Sequence, residues 1–318
     1  MNTYSEIHNE FRPRVIVWEL AGIHDPESFS THESLLTIDS IARVAKPIVV
    51  FTGPNLMERP DLHEIIAYGR ALGLRIIVEA RPEELTSEVL RQYAAFGPKV
   101  FRLILDGCIV ENFETRYKQT PEFRALQDGI QRLKTAGYEI HLGATIKQIN
   151  IRELAYYHDF ALRSAAKGLY CHLSFEPDDV TTTERSELDD VIESIARMKS
   201  LSPANMYVSP QCVKYGPMRL SDESDEDGEN IEYGVRAEWN HWCLAGKTFA
   251  YIGREGKVRL CAGHPMVCGE LRTDGYNFKN IWETSEVFMC LRKRELTCRG
   301  TREQFREPQA TGPAGRPG

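Results

Sequence analysis

Cysteine is missing from the first third of this chain: none occurs between Met1 and Gly107. Chemistry that needs a thiolate must therefore draw on later residues. Positive charge is also in deficit. Lys and Arg number 39 against 46 Asp and Glu, a formal net charge of −7, which argues against nucleic acid as a default partner. No apolar run is long enough to span a bilayer, so no membrane segment is expected. The start, Met1-Asn-Thr-Tyr-Ser-Glu-Ile-His, shows no basic segment followed by an apolar core. The expectation is a cytoplasmic protein, where clustered cysteines bind metal more often than they pair as disulfides.

The cysteines that are present crowd one end. Five of the eight lie after residue 240: Cys243, Cys261, Cys268, Cys290 and Cys298. Thiolates gathered in this way hold zinc or an iron–sulfur cluster, and Gly256 lets the backbone turn so that the flanking cysteines converge. The expected metal ligands are Cys243, Cys261, Cys268 and Cys298. Cys290 is the substitute for Cys268, although a predicted helix over 285–296 gives it a simpler packing role. The alternative is a set of reduced cysteines with no metal. Trp242 and His264 are expected beside the site. Cys108 and Cys212 are assigned no role.

The remainder alternates. Apolar, β-branched runs at Val15–Leu20, Pro47–Phe51, Leu74–Val78, Val100–Leu105, Glu139–Ile146 and Leu169–Phe175 predict buried strands. Helical spacing follows at Thr37–Ala45, Asp61–Leu72, Thr86–Ala95, Pro121–Ala136 and Ile151–Ala166, with Gly73, Gly97, Gly137 and Gly168 as stops. Uninterrupted apolar strands joined by helices predict an α/β fold, a partial (βα)6 barrel of parallel strands with a small C-terminal cysteine-rich module. In such a sheet the ligand end is the C-terminal end of the strands. A helix over 187–198 is predicted next. Ser221–Glu229 then carries six acidic side chains in nine residues, expected as a solvated loop or a docking strip for a basic partner. The expected units are a lead-in (1–13), the barrel (14–200), a linker with the acidic loop (201–242), the cysteine module (243–300) and a disordered tail (301–318).

Cys243-Leu-Ala-Gly, Gly256-Lys-Val-Arg-Leu-Cys261, Phe278-Lys-Asn-Ile-Trp282, Phe288 and Leu291-Arg292 resemble the auxiliary-cluster module, of SPASM or shortened twitch type, that closes many radical S-adenosylmethionine (radical SAM) proteins. The resemblance extends to Val17-Trp18-Glu19-Leu20, Arg59-Pro60-Asp61-Leu62 and Asp106-Gly107. It implies one auxiliary [4Fe–4S] cluster at the four cysteines, with zinc as the alternative. The family also binds a catalytic cluster through a C-x3-C-x2-C loop after the first strand. Here those positions fall on His24, Ser28 and Thr31. A protonated hydroxyl is not a usual ligand for such a cluster. The methionine clamp Gly-Gly-Glu-Pro becomes Gly53-Pro54-Asn55-Leu56, and Thr-Asn-Gly after the third strand becomes Glu79-Ala80-Arg81. Leu105 stands where a serine is usual.

These departures lead to four expectations. The core motif is degenerate. S-adenosylmethionine is not expected to bind. No catalytic residue is assigned. The chain acts as a partner, substrate-presenting or electron-transfer subunit beside a catalytic radical SAM relative or a peptide or small-molecule substrate. The alternatives are an active enzyme that uses the barrel mouth, by unusual S-adenosylmethionine chemistry or by acid–base chemistry, and a zinc-stabilised structural protein. For the enzyme, His24, Glu19, Glu79, Arg81 and Asp106 are the candidate pocket.

Overall fold

The computed structural model describes residues 11–22, 25–94, 97–105, 121–146, 154–173, 205–208, 245–262, 264 and 266–293. Ten strands form one sheet in the order β10-β9-β8-β1-β2-β3-β4-β5-β6-β7. They are β1 (Val15–Glu19), β2 (Ile48–Thr52), β3 (Arg75–Ala80), β4 (Val100–Ile104), β5 (Glu139–Ile146), β6 (Gly168–Leu173), β7 (Asn205–Val208), β8 (Phe249–Ile252), β9 (Lys257–Arg259) and β10 (Val267–Glu270). Neighbours from β1 to β7 run parallel. The expected α/β fold with a partial parallel barrel is therefore present. Helices α1 (Thr31–Val44), α2 (Leu62–Ala71), α3 (Ser87–Tyr93), α4 (Pro121–Thr135) and α5 (Leu154–Arg163) connect or flank these strands. Two more, α6 (Phe278–Thr284) and α7 (Glu286–Arg292), follow β10.

Alternation along the strands divides their side chains between two faces. Ile16, Trp18, Val49, Phe51, Ile76, Val78, Phe101 and Leu103 enter the large core against the helices. Val15 and Val17 pack instead with Phe249, Tyr251 and Cys261 on the inner face.

Three features differ from expectation. The helix predicted from Thr37 begins at Thr31, because Ser30 and Glu33 form a capping box: the Glu33 N–H donates to Ser30 Oγ at 3.3 Å, and the Ser30 N–H donates to Glu33 Oε2 at 2.7 Å. β7 adds a seventh parallel strand inside the span read as linker. β8 joins the open edge of β1 in parallel, and β9 and β10 follow antiparallel, so Cys268, on β10, is carried on the same sheet as the barrel strands. Helix α7 lies within the span 285–296 read as helical, of which 294–296 fall outside the described residues, and Ser285 ends α6 and takes the position just before α7. The predicted helix over 187–198 and the acidic stretch 221–229 lie outside the described residues.

One buried cation fixes the loop that leaves β1. Arg59 is 2% exposed. Its Nη1 donates to the Ala21 carbonyl at 3.1 Å and to Ser28 Oγ at 2.7 Å, and its Nη2 donates to the Phe29 carbonyl at 2.9 Å. Nε and Nη2 grip Asp61 as a two-pronged pair at 2.9 and 2.7 Å. Thr31 adds a bond to Asp61 Oδ2 at 2.7 Å. The C-terminal segment braces the same loop: Arg254 donates to Asp25 at 3.0 Å, and Arg272 donates to the Glu27 carbonyl at 2.8 Å.

Two outcomes test this account. Ser30→Ala should cost about 1 kcal/mol in urea unfolding, the usual value of a lost N-cap. Arg59→Met should cost about 3–5 kcal/mol, since it strands a half-buried carboxylate and two carbonyls. Burial alone would raise the Asp61 pKa, but the hydrogen bonds from Arg59 and Thr31 and the Arg59 charge outweigh it, so the folded-state value lies below the ordinary one. That stabilisation is complete above the ordinary carboxylate pKa and is lost as pH falls through the lowered value. Unfolding midpoints measured from pH 6 to pH 2 should therefore drop more for the wild type than for Arg59→Met.

Candidate functional site

The inner face carries one transverse row of polar side chains. Strand register places Glu19 beside Thr52, Glu79 beside Arg102, and Arg102 beside His141. Thr52 joins the first pair to the second, for its Oγ1 donates to Glu79 Oε1 at 2.6 Å. Arg102 Nη1 donates to the other Glu79 oxygen at 3.2 Å, and its guanidinium carbon lies 3.5 Å from the Tyr170 ring centroid. His141 Nε2 meets Glu139 Oε1 at 3.0 Å. At the β8 end of the row the Tyr251 hydroxyl donates to Glu19 Oε2 at 2.8 Å.

Glycine makes room for these long side chains. A Cβ on Gly143 would stand 3.0 Å from Arg102 Cδ, and one on Gly168 would stand 3.3 Å from the His141 ring. Glycine inside a strand often marks such a close approach.

Environment sets the protonation of two members. Burial raises the Tyr251 pKa far above its ordinary value, and the Glu19 carboxylate adds to that, so the phenol keeps its proton. Burial lowers the His141 pKa, and the Arg102 charge works in the same direction against the Glu139 hydrogen bond, which leaves the imidazole neutral near pH 7.

Of the five residues expected to form the pocket, Glu19 and Glu79 are brought into this row. Arg81 is exposed and opens the short turn Pro82–Glu84, its backbone N–H bonded to Glu84 at 2.6 Å. His24 and Asp106 lie outside the described residues. Thr52, Arg102, His141, Tyr170 and Tyr251 were not anticipated. A signal existed for Arg102, a lone charge inside the apolar run Val100-Phe-Arg-Leu-Ile, where burial demands a partner.

The mouth loop can be tested against the catalytic cluster that the resemblance implies. Ser28 Oγ donates to the Ala21 carbonyl at 2.9 Å and accepts from Arg59, and Thr31 Oγ1 donates to Asp61. Both hydroxyls are committed, neither offers sulfur, and a guanidinium sits beside them. These residues do not fit an iron–sulfur cluster, and no chemistry is derived through one at this loop.

At the other end two of the four expected cysteine ligands, Cys261 and Cys268, lie among the described residues, and thiol sulfur is the donor type that such a cluster takes. Pairing of Arg259 with Val267, and a bulge between Val267 and Gly269, set Cys268 against the chain that leads to Cys261. The Cys268 thiol feels the Cys261 sulfur electrostatically. Cys243 and Cys298 lie outside the described residues. Among the described residues, no three His, Cys, Asp or Glu side chains are placed to hold a metal ion. His264 is buried, and its Nδ1 accepts from the Met266 N–H at 3.1 Å. Cys290 lies on α7, partly buried.

No family model matches the chain. It is 24% identical over 306 residues to the AdoMet-dependent heme synthase of Methanosarcina barkeri, covering 89% of this chain and 86% of that protein. The AdoMet-dependent heme synthase of Nitratidesulfovibrio vulgaris is 26% identical over 281 residues, covering 85% and 74%. Mycofactocin maturase MftC of Mycobacterium tuberculosis is 24% identical over 310 residues, covering 93% and 69%. The crystal structure of Streptococcus suis SuiB superposes with a TM-score of 0.59 at 11% identity, covering 90% of this chain and 69% of that one, which shows the shared fold. Among the described residues no helix is long and apolar enough to cross a membrane.

These relatives correct two expectations. They are named as enzymes, a synthase and a maturase, which overturns the reading of the chain as a non-catalytic partner, substrate-presenting or electron-transfer subunit. Two are named for AdoMet dependence, so the expectation that S-adenosylmethionine does not bind finds no support. The resemblance itself stands: over nearly its whole length, this chain is similar to radical SAM enzymes.

Proposed function

We propose that this chain is an enzyme that binds S-adenosylmethionine and works on the inner face of its sheet, at the Glu19–Tyr251 end of the polar row. The observation that carries this reading is the Tyr251 bond to Glu19 at 2.8 Å, on a face otherwise lined there by Val15, Val17 and Phe249. One Glu19 oxygen is held by a phenol that keeps its proton, which leaves the other oxygen to accept a proton or a cation. Glu79, fixed by Thr52 and Arg102, supplies a second carboxylate of set orientation. S-adenosylmethionine carries two cationic groups, an ammonium and a sulfonium, and Glu19 and Glu79 would receive them. The bound cofactor supplies an activated carbon at its sulfonium. The substrate, a peptide or small molecule, enters from the C-terminal ends of the strands.

The C-terminal segment from residue 243 is the proposed SPASM- or twitch-type module, set apart from a barrel unit over 14–200 by a linker over 201–242. Cys243, Cys261, Cys268 and Cys298 are its proposed ligands for one auxiliary [4Fe–4S] cluster, with zinc as the alternative metal. The setting is the cytoplasm, whose reducing conditions suit free thiolates.

Calorimetric titration with S-adenosylmethionine tests the proposal. Wild type should bind, and Glu19→Gln should bind about 10–100-fold more weakly, the cost of a lost charge-assisted hydrogen bond. Tyr251→Phe, which leaves the carboxylate in place, should retain binding within about 10-fold and lose turnover instead. Absence of binding by the wild type, or equal binding by Glu19→Gln, overturns the reading.

A further inference from the structure

Arg292, the last residue of α7, is 5% exposed. Its guanidinium carbon lies 4.5 Å from the Trp282 ring centroid and 5.6 Å from that of Phe288. Nε donates to the Gly246 carbonyl at 2.6 Å, whereas Nη2 is buried with no hydrogen-bond partner. Glu283 acts on it only through space and is itself bonded to Lys279. A cation removed from water without an anion is costly.

Besides the two rings and the Gly246 carbonyl, the group that this charge acts on is a thiol, Cys268. Gly246, which accepts the Nε bond, lies three residues after Cys243. Its φ of +71° turns the chain there, and a Cβ at that position would stand 2.9 Å from the Phe288 ring. Cys268 feels the Arg292 charge directly, together with Cys261. Ser285 Oγ, just before α7, is buried, and the Cys268 thiol is its neighbour in hydrogen-bond reach. A buried guanidinium N–H with no partner and a hydroxyl beside a thiol therefore face the edge that carries two of the four proposed ligands.

We propose that Arg292 is the built-in counter-cation of the auxiliary cluster, donating through Nη2 to a sulfur of the loaded site, with Ser285 as a second donor to Cys268. This rests on the reading that Cys243, Cys261, Cys268 and Cys298 hold a [4Fe–4S] cluster. The thiolate-ligated cluster is anionic and gains further negative charge when reduced. A buried cation at hydrogen-bond distance favours the reduced form and raises the reduction potential. The two aromatic rings fix the guanidinium in place, so its effect does not depend on a mobile side chain.

The test uses the full chain purified without oxygen, as wild type, Arg292→Gln and Arg292→Lys. Iron and zinc are counted per chain, and the midpoint potential is read by redox titration with electron paramagnetic resonance. The expected result is a cluster in all three, a lower potential in Arg292→Gln and recovery of most of the shift in Arg292→Lys. Wild type that takes up zinc or no metal overturns the [4Fe–4S] reading beneath the proposal. A loaded wild type with an Arg292→Gln potential equal to its own overturns the proposal alone. If Arg292→Gln does not load, melting of the metal-free chains decides. An unpaired cation predicts a Tm for Arg292→Gln at or above wild type, and a lower Tm shows that Arg292 serves packing only.

Discussion

The Arg59 guanidinium is the constraint on which the mouth of this fold depends. It sits out of water between the end of β1, the start of α1 and the turn before α2, and it bonds to each. A two-pronged pair with Asp61 neutralises the charge, so its burial is tolerated. The carbonyls of Ala21 and Phe29, which lie outside the ladder hydrogen bonds, find their donor there. Those points tie the chain just after β1 and just before α1 to the start of α2, next to Glu19.

From that fixed end the polar row continues by strand register alone. Parallel pairing of β1 to β2, β3 to β4 and β4 to β5 carries Glu19, Thr52, Glu79, Arg102 and His141 to one level of the inner face. Hydrogen bonds from Thr52 and Arg102 orient Glu79, and one from Tyr251 orients Glu19, while register alone sets Glu19 beside Thr52 and Arg102 beside His141. Tyr251 closes it from β8, a strand that joins the sheet from the opposite edge. Orientation of this kind, held by neighbours on rigid strands, favours catalysis because the groups need not reorganise when charge develops.

Much of the scaffold was legible in the sequence, and the reason is local. Apolar runs such as Ile76-Ile-Val78 and glycine stops such as Gly73 and Gly137, both at positive φ, depend only on residues close in the chain. The start of α1 is not legible from the stripe that begins at Thr37, because its capping box, Ser30 with Glu33, lies ahead of that stripe. β8 was missed because four apolar residues, Phe249-Ala-Tyr-Ile252, carry little periodic signal. The candidate site was legible only in part. Glu19 and Glu79 stand at strand ends, where a reader looks. Arg102 and His141 stand inside strands, and Tyr251 reaches Glu19 across 232 positions of sequence. Contacts of that range are set by register, which no single stretch of residues reveals. The cysteine signal, by contrast, was plain in spacing alone, although it said nothing of the cation at Arg292.

The pairing of β8 with β1 has a consequence for how the chain is made. Ribosomes deliver the N-terminal strands first, and domains begin to fold as they emerge. Until Phe249–Ile252 arrives, β1 presents one unsatisfied edge of apolar strand, an invitation to intermolecular pairing. Closing that edge requires a contact between distant ends of the polypeptide, and such contacts form slowly. The strand β8, made long after β1, thus acts as a seal on the nascent protein, and truncation ahead of it leaves a chain prone to aggregate.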